Sequence, residues 1–85
     1  MKVNEIRAYI LAFLDLAEKK GISVFPSVLL SKVMAKADIK ETTARTHLLE
    51  CEQMGLIIIT SVSVQLTHTG KEELKNIEYI SRETP

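Results

Sequence analysis

The apolar period of this chain changes at Gly55. Before that residue hydrophobic side chains recur at helical spacing, and after it they alternate, so a helical segment must be followed by paired strands. Ile6, Ile10, Phe13, Leu14 and Ala17 fall at i, i+4, i+7, i+8 and i+11, one face of a helix over about 4–20. Asn4 is placed to cap its start and Gly21 its end. Tyr9, Leu11 and Leu16 lie off that stripe, which makes this helix apolar on more than one side. Residues 22–25 are a short β-prone run stopped by Pro26. Ser27 as N-cap, or Pro26 at the first helical position, starts a second helix. Its apolar face is Val28, Leu29, Val33 and Met34, with Lys32 and Lys36 outside, and it should fail near Ala37 and Asp38. Asp38 and Glu41 have capping-box spacing, predicting a third helix from there to about Met54. Ala44, Leu48 and Cys51 form its inward face, and Gly55 ends it.

Beyond Gly55, residues 56–59 are strongly strand-like, and Val62, Val64 and Leu66 alternate with polar residues. The two runs predict a hairpin turning near 61–63, although no Gly, Asn or Pro marks the turn. Thr69 and Gly70 should close the second strand. Lys71 to about Arg82 reads as a fourth helix with Leu74, Ile77 and Ile80 on one face. The order predicts a single α+β, mainly helical domain over 1–85.

Charge sharpens the picture. The 11 basic and 11 acidic residues cancel, which excludes a polycation that coats nucleic acid by charge alone. The cancellation is uneven along the chain. Residues 1–18 sum to −1, residues 19–49 to +4 and residues 50–85 to −3. The basic third coincides with the second and third helices. No Lys, Arg, Asp or Glu occurs from Gln53 to Gly70, so the hairpin is uncharged.

Thr42-Thr43-Ala44, His47-Leu48 and Glu52-x-x-Gly55-Leu56-Ile57, within residues 39–57, resemble the recognition helix and first wing strand of winged-helix regulators. Residues 64–71, with Leu66-Thr67-x-x-Gly70, are similar to the second wing strand and Leu-Thr-x-x-Gly ending of MarR-like and PadR-like proteins. The resemblance covers about residues 4–82. It implies a winged helix-turn-helix: a three-helix core, a short two- to three-stranded antiparallel wing and a C-terminal helix. It also implies a small cytoplasmic transcriptional regulator, a repressor, that reads double-stranded DNA with the third helix.

A major groove about 12 Å wide admits one helix, whose N-terminal side chains reach the base edges. With Ala44 inward, a 100° wheel points Thr42, Arg45, Thr46, Leu49 and Gln53 outward. Thr42, Arg45, Thr46 and Gln53, with Thr43 beside them, are expected at the DNA, with Lys32, Lys36 and Lys40 on phosphates. Glu41 and Glu50, the outward Leu49 and the uncharged hairpin favour an alternative. In it, the fold serves as a protein-interaction module, an adaptor or a virus- or plasmid-encoded inhibitor, without DNA binding. Tyr9, Leu11, Leu16, Ile77 and Ile80 are expected at a twofold homodimer contact that buries surplus apolar surface.

Catalysis has no foothold in the sequence. Three glycines make no phosphate loop, and no nucleophile–base arrangement stands out. His47 and Cys51 are four apart with His68 distant, too few for a metal site, so no metal or cofactor is expected. The single cysteine fits a reducing compartment, and no apolar run is long enough to span a bilayer.

Overall fold

The computed structural model describes the backbone of residues 1–83 and the side chains as far as residue 77. Four helices and one hairpin follow in the order α1 (Val3–Lys19), α2 (Pro26–Ala37), α3 (Glu41–Gln53), β1 (Ile57–Ile59), β2 (Val64–Leu66) and α4 (His68–Glu83). The α+β, mainly helical class is the one expected, and the arrangement is compatible with a winged helix. No helix among the described residues is long and apolar enough to cross a membrane.

Helix α1 is the centre of the core. It packs against α2, α3, α4 and β2, so it needs apolar residues on several sides. Ile6, Ile10, Leu11, Leu14 and Ala17 are all buried. Leu11, expected at a dimer contact, is 0% exposed and belongs to the core of one chain. Helix α2 contributes Leu29, Leu30, Val33 and Ala37. Leu30 takes the inward place expected of Val28, which is exposed. Helix α3 contributes Ala44, Leu48 and Cys51, as its spacing predicted.

The helix ends follow from three left-handed residues. At α1, the amides of Gly21 and Ile22 donate to the carbonyls of Glu18 and Ala17, and Gly21 sits at φ +69°. At α3, Gly55 and Leu56 repeat the motif onto Glu52 and Cys51, with Gly55 at φ +75°. Between them, Asp38 adopts φ 53° and its amide donates to the Met34 carbonyl, as does that of Ile39. Asp38 therefore closes α2 and does not cap α3. Short polar side chains tolerate this conformation better than most, which is why an Asp can stand where a Gly would. Lys40 occupies the N-cap of α3, with no side-chain hydrogen bond to the first turn. Asn4 likewise lies inside α1, behind an N-cap at Lys2, and Phe25 precedes Pro26 at the start of α2 in place of Ser27.

The hairpin pairs Ile57 with Leu66, Ile58 with Gln65 and Ile59 with Val64 in antiparallel register. Thr60 supplies the turn that no Gly or Pro announces. Its amide donates to the Ser63 carbonyl, and its Oγ1 accepts from the amides of Val62 and Ser63. Val62 lies in this turn, outside β2. The run at 22–25 is not a strand; it meets the sheet through one bond, from the Val64 amide to the Val24 carbonyl, so the sheet has two strands.

Helix α4 starts three residues earlier than expected because Thr67 caps it. Thr67 Oγ1 accepts from the Gly70 amide at 2.9 Å and lies 2.6 and 2.9 Å from the Gly55 and Leu56 carbonyl oxygens. Gly70 is thus helical and does not close the strand. A Cβ there would run into the Leu56 carbonyl oxygen and come within 2.7 Å of Leu66 Cδ1. Only glycine lets α4 lie this close to the hairpin.

Candidate nucleic-acid interface

Helix α3 has thirteen residues, and its core stripe leaves most of its circumference in solvent. Thr42, Thr43, Arg45, Thr46, Leu49 and Gln53 are all exposed. Thr42, Thr46, Leu49 and Gln53 lie opposite Ala44 and Leu48, with Arg45 on the flank toward the hairpin. The structure therefore brings five of the eight residues expected at DNA onto one exposed helix: Thr42, Thr43, Arg45, Thr46 and Gln53. Lys40 joins them at its N-cap, also exposed. With no side chain capping the first turn, the positive end of the helix is open beside it.

Lys32 and Lys36 are elsewhere. At 100° per residue they occupy the flank of α2 opposite Ser27, Leu30, Ser31 and Met34, the residues that face α3 and the hairpin. Lys36 Nζ sits 6.0 Å from the centroid of the Tyr9 ring on α1, at cation–π distance. The +4 of the middle third is thus split between two sides of the domain.

Two interactions set what the α3 face can offer. Arg45 Nη2 lies 3.5 Å from Glu41 Oε1, one turn away, with both side chains largely exposed. Such a pair is weak and screened by salt, so it holds the guanidinium only loosely. Thr46 Oγ1 donates to the Thr42 carbonyl at 3.0 Å. The Ile59 amide donates to Glu52 Oε2 at 3.3 Å, tying that carboxylate to β1.

Between α2, α3 and the hairpin runs a groove of about 500 Å³. Its lining is mainly apolar, including Phe25, Leu30, Met34, Leu49, Ile59 and Val64, with Glu41 and Arg45 among its polar groups. Phe25 and Leu49 remain 53% and 52% exposed along it. Residue spacing did not reveal this groove. The signal was present as Phe25 directly before Pro26, an aromatic residue at a helix start with no helical stripe to join.

On the opposite flank of α3, Arg7, His47, Glu50, Cys51 and Val3 line a small recess. Burial pushes the Cys51 thiol above its ordinary pKa; Arg7 works against this and Glu50 adds to it. Among the described residues no group of three His, Cys, Asp or Glu side chains is arranged to hold a metal ion.

Of the residues expected at a twofold contact, Tyr9 and Ile77 are partly buried against their own core, and Tyr9 packs its ring 6.1 Å from Phe13. Leu16 is 53% exposed, while the side chain of Ile80 lies outside the described residues. No family model matches the chain, and neither a curated protein nor a solved structure is significantly similar to it.

Proposed function

We propose that this domain is a winged helix that binds double-stranded DNA, with α3 in the major groove and the β1–β2 hairpin as its wing. It acts as a small transcriptional repressor by occluding a promoter. The observation that carries the reading is the exposed α3 face, where Thr42, Arg45, Thr46 and Gln53 stand together beside an uncapped helix start. Arg45, on the flank of the helix, is the anchor, since a guanidinium can fork onto the oxygens of a phosphate. Lys40 and the free amides of the first turn suit a phosphate. The hairpin, without charge, contributes shape rather than electrostatic grip. A twofold dimer, with Leu16 at its contact, would set two copies of α3 about 34 Å apart, one DNA turn. A gel shift against the chain's own upstream region at low salt tests the reading. Binding lost in Arg45→Ala and kept in Lys75→Ala supports it, and no binding at low salt overturns it.

The apolar groove favours a second reading, a module that takes an apolar segment of a partner protein alongside α3. Exposed Phe25 and Leu49 are the kind of anchors such a contact uses. Partner capture abolished by Phe25→Ser, in nuclease-treated extract and insensitive to salt, would distinguish it from DNA binding.

A further inference from the structure

The outermost line of α3 is Thr42, Thr46, Leu49 and Gln53. At 1.5 Å per residue it spans about 16 Å, some five base-pair steps of about 3.4 Å. None of these side chains is charged. Thr46 donates its hydroxyl proton to the Thr42 carbonyl, so outward it offers lone pairs and a methyl group but no donor. Leu49 is half exposed and purely apolar. Gln53 carries an amide, the group that pairs with adenine N6 and N7.

The charged groups that would read a G·C pair are off this line. Glu52, a potential acceptor for cytosine N4, has its carboxylate on the Ile59 amide. Glu50 turns to the recess with Arg7 and His47. Arg45, suited to guanine, stands on the flank beside Glu41. Hydroxyl lone pairs can accept from adenine N6 or cytosine N4 and so do not choose between the pairs, whereas the thymine 5-methyl is the only apolar group a base pair shows in the major groove.

We infer that Leu49 is a specificity-determining residue that reads a thymine methyl, so that α3 selects an A·T pair where Leu49 reaches the bases. This rests on the DNA-binding reading above. An uncharged hairpin gives little sequence-independent affinity, so discrimination depends on such short-range contacts.

The test uses the full chain and a duplex library randomised over two helical turns. Selected duplexes are then remade with deoxyuridine for each thymidine in turn, which removes only the 5-methyl group, and affinity is read by fluorescence anisotropy. The wild type should select A·T pairs and lose about fourfold in affinity at one or two uracil positions, the effect of one buried methyl. Leu49→Ala should bind the thymine and uracil duplexes equally. Leu49 is outside the core, so this variant keeps the wild-type circular dichroism and melting. Uracil duplexes bound as tightly as thymine duplexes by the wild type, or discrimination retained in Leu49→Ala, would overturn the inference while leaving DNA binding intact. A library from which nothing is enriched at low salt would remove both.

Discussion

The salt dependence of DNA binding follows from where the structure puts the cations. Lys40 and Arg45 stand on the exposed side of α3; Lys32 and Lys36 occupy the far flank of α2, and Lys36 lies over Tyr9. Each neutralised phosphate contributes about −0.9 to the slope of log K against log salt. Two contacts per bound protomer give a slope of about −1.8, so affinity should fall about 12-fold between 50 and 200 mM salt. If all four cations touched phosphate, the slope would be about −3.6 and the loss about 150-fold. Arg45→Ala should halve the slope to about −0.9. It should also weaken binding at low salt by a factor of about 10 to 150, since hydrogen bonds to charged groups contribute about 1.5–3 kcal/mol. Lys36→Ala should leave the slope unchanged. Anisotropy titrations with a half-site duplex that holds one protomer, repeated at four salt concentrations, measure all three proteins. A slope that drops as much in Lys36→Ala as in Arg45→Ala would refute the assignment of the contact face to α3, and a wild-type slope near zero would refute phosphate contact altogether.

Other outcomes are expected of the scaffold. Gly70→Ala should lower stability by about 1–2 kcal/mol in urea denaturation, since overpacking at the upper end of about 1–3 kcal/mol outweighs the helical gain of about 1 kcal/mol; a neutral result would mean α4 is not pressed on the Leu56 carbonyl. Thr67→Val should cost about 1–2 kcal/mol by removing the α4 cap while keeping the shape. Cys51, buried and with its thiol held neutral, should react with a thiol reagent only as fast as the domain opens. Because folding raises that pKa, the unfolded chain ionises first, so the thiol's contribution to stability is complete at neutral pH and declines as pH rises through the ordinary thiol range; urea midpoints in wild type and Cys51→Ala, compared between neutral and alkaline pH, measure it. Leu16→Glu should shift sedimentation to the monomer and lower the melting temperature only at concentrations where the wild type is dimeric.

Much of this architecture is legible because helix punctuation is local chemistry. Gly21, Pro26 and Gly55 end or start helices through backbone conformation alone, and the structure uses all three. The capping-box pattern at Asp38 and Glu41 misleads because two local solutions compete at the same residue. Closing α2 with the Asp38 and Ile39 amides on Met34 prevails over capping α3. Leu11 is misread for a different reason: a helix surrounded by four neighbours has no single inward stripe. The α3 face is legible, since Ala44, Leu48 and Cys51 set its orientation without reference to the rest of the chain. The placement of Lys32 and Lys36 is not, because it depends on which side of α2 meets α3 and the hairpin. The turn at Thr60 and the cap at Thr67 rest on hydroxyls whose partners are set only once the strands pair.

Thr67 joins three elements within one side chain's reach: the end of α3 at Gly55, the entry to β1 at Leu56 and the first turn of α4. Its own amide donates to Leu56 as well. The hairpin and the terminal helix should therefore gain and lose protection against hydrogen exchange together, as one cooperative unit added to the three helices before it. A change that loosens the start of α4 would release the hairpin from the domain, and a protein gripping the last helix would have a mechanical route to the strands beside α3.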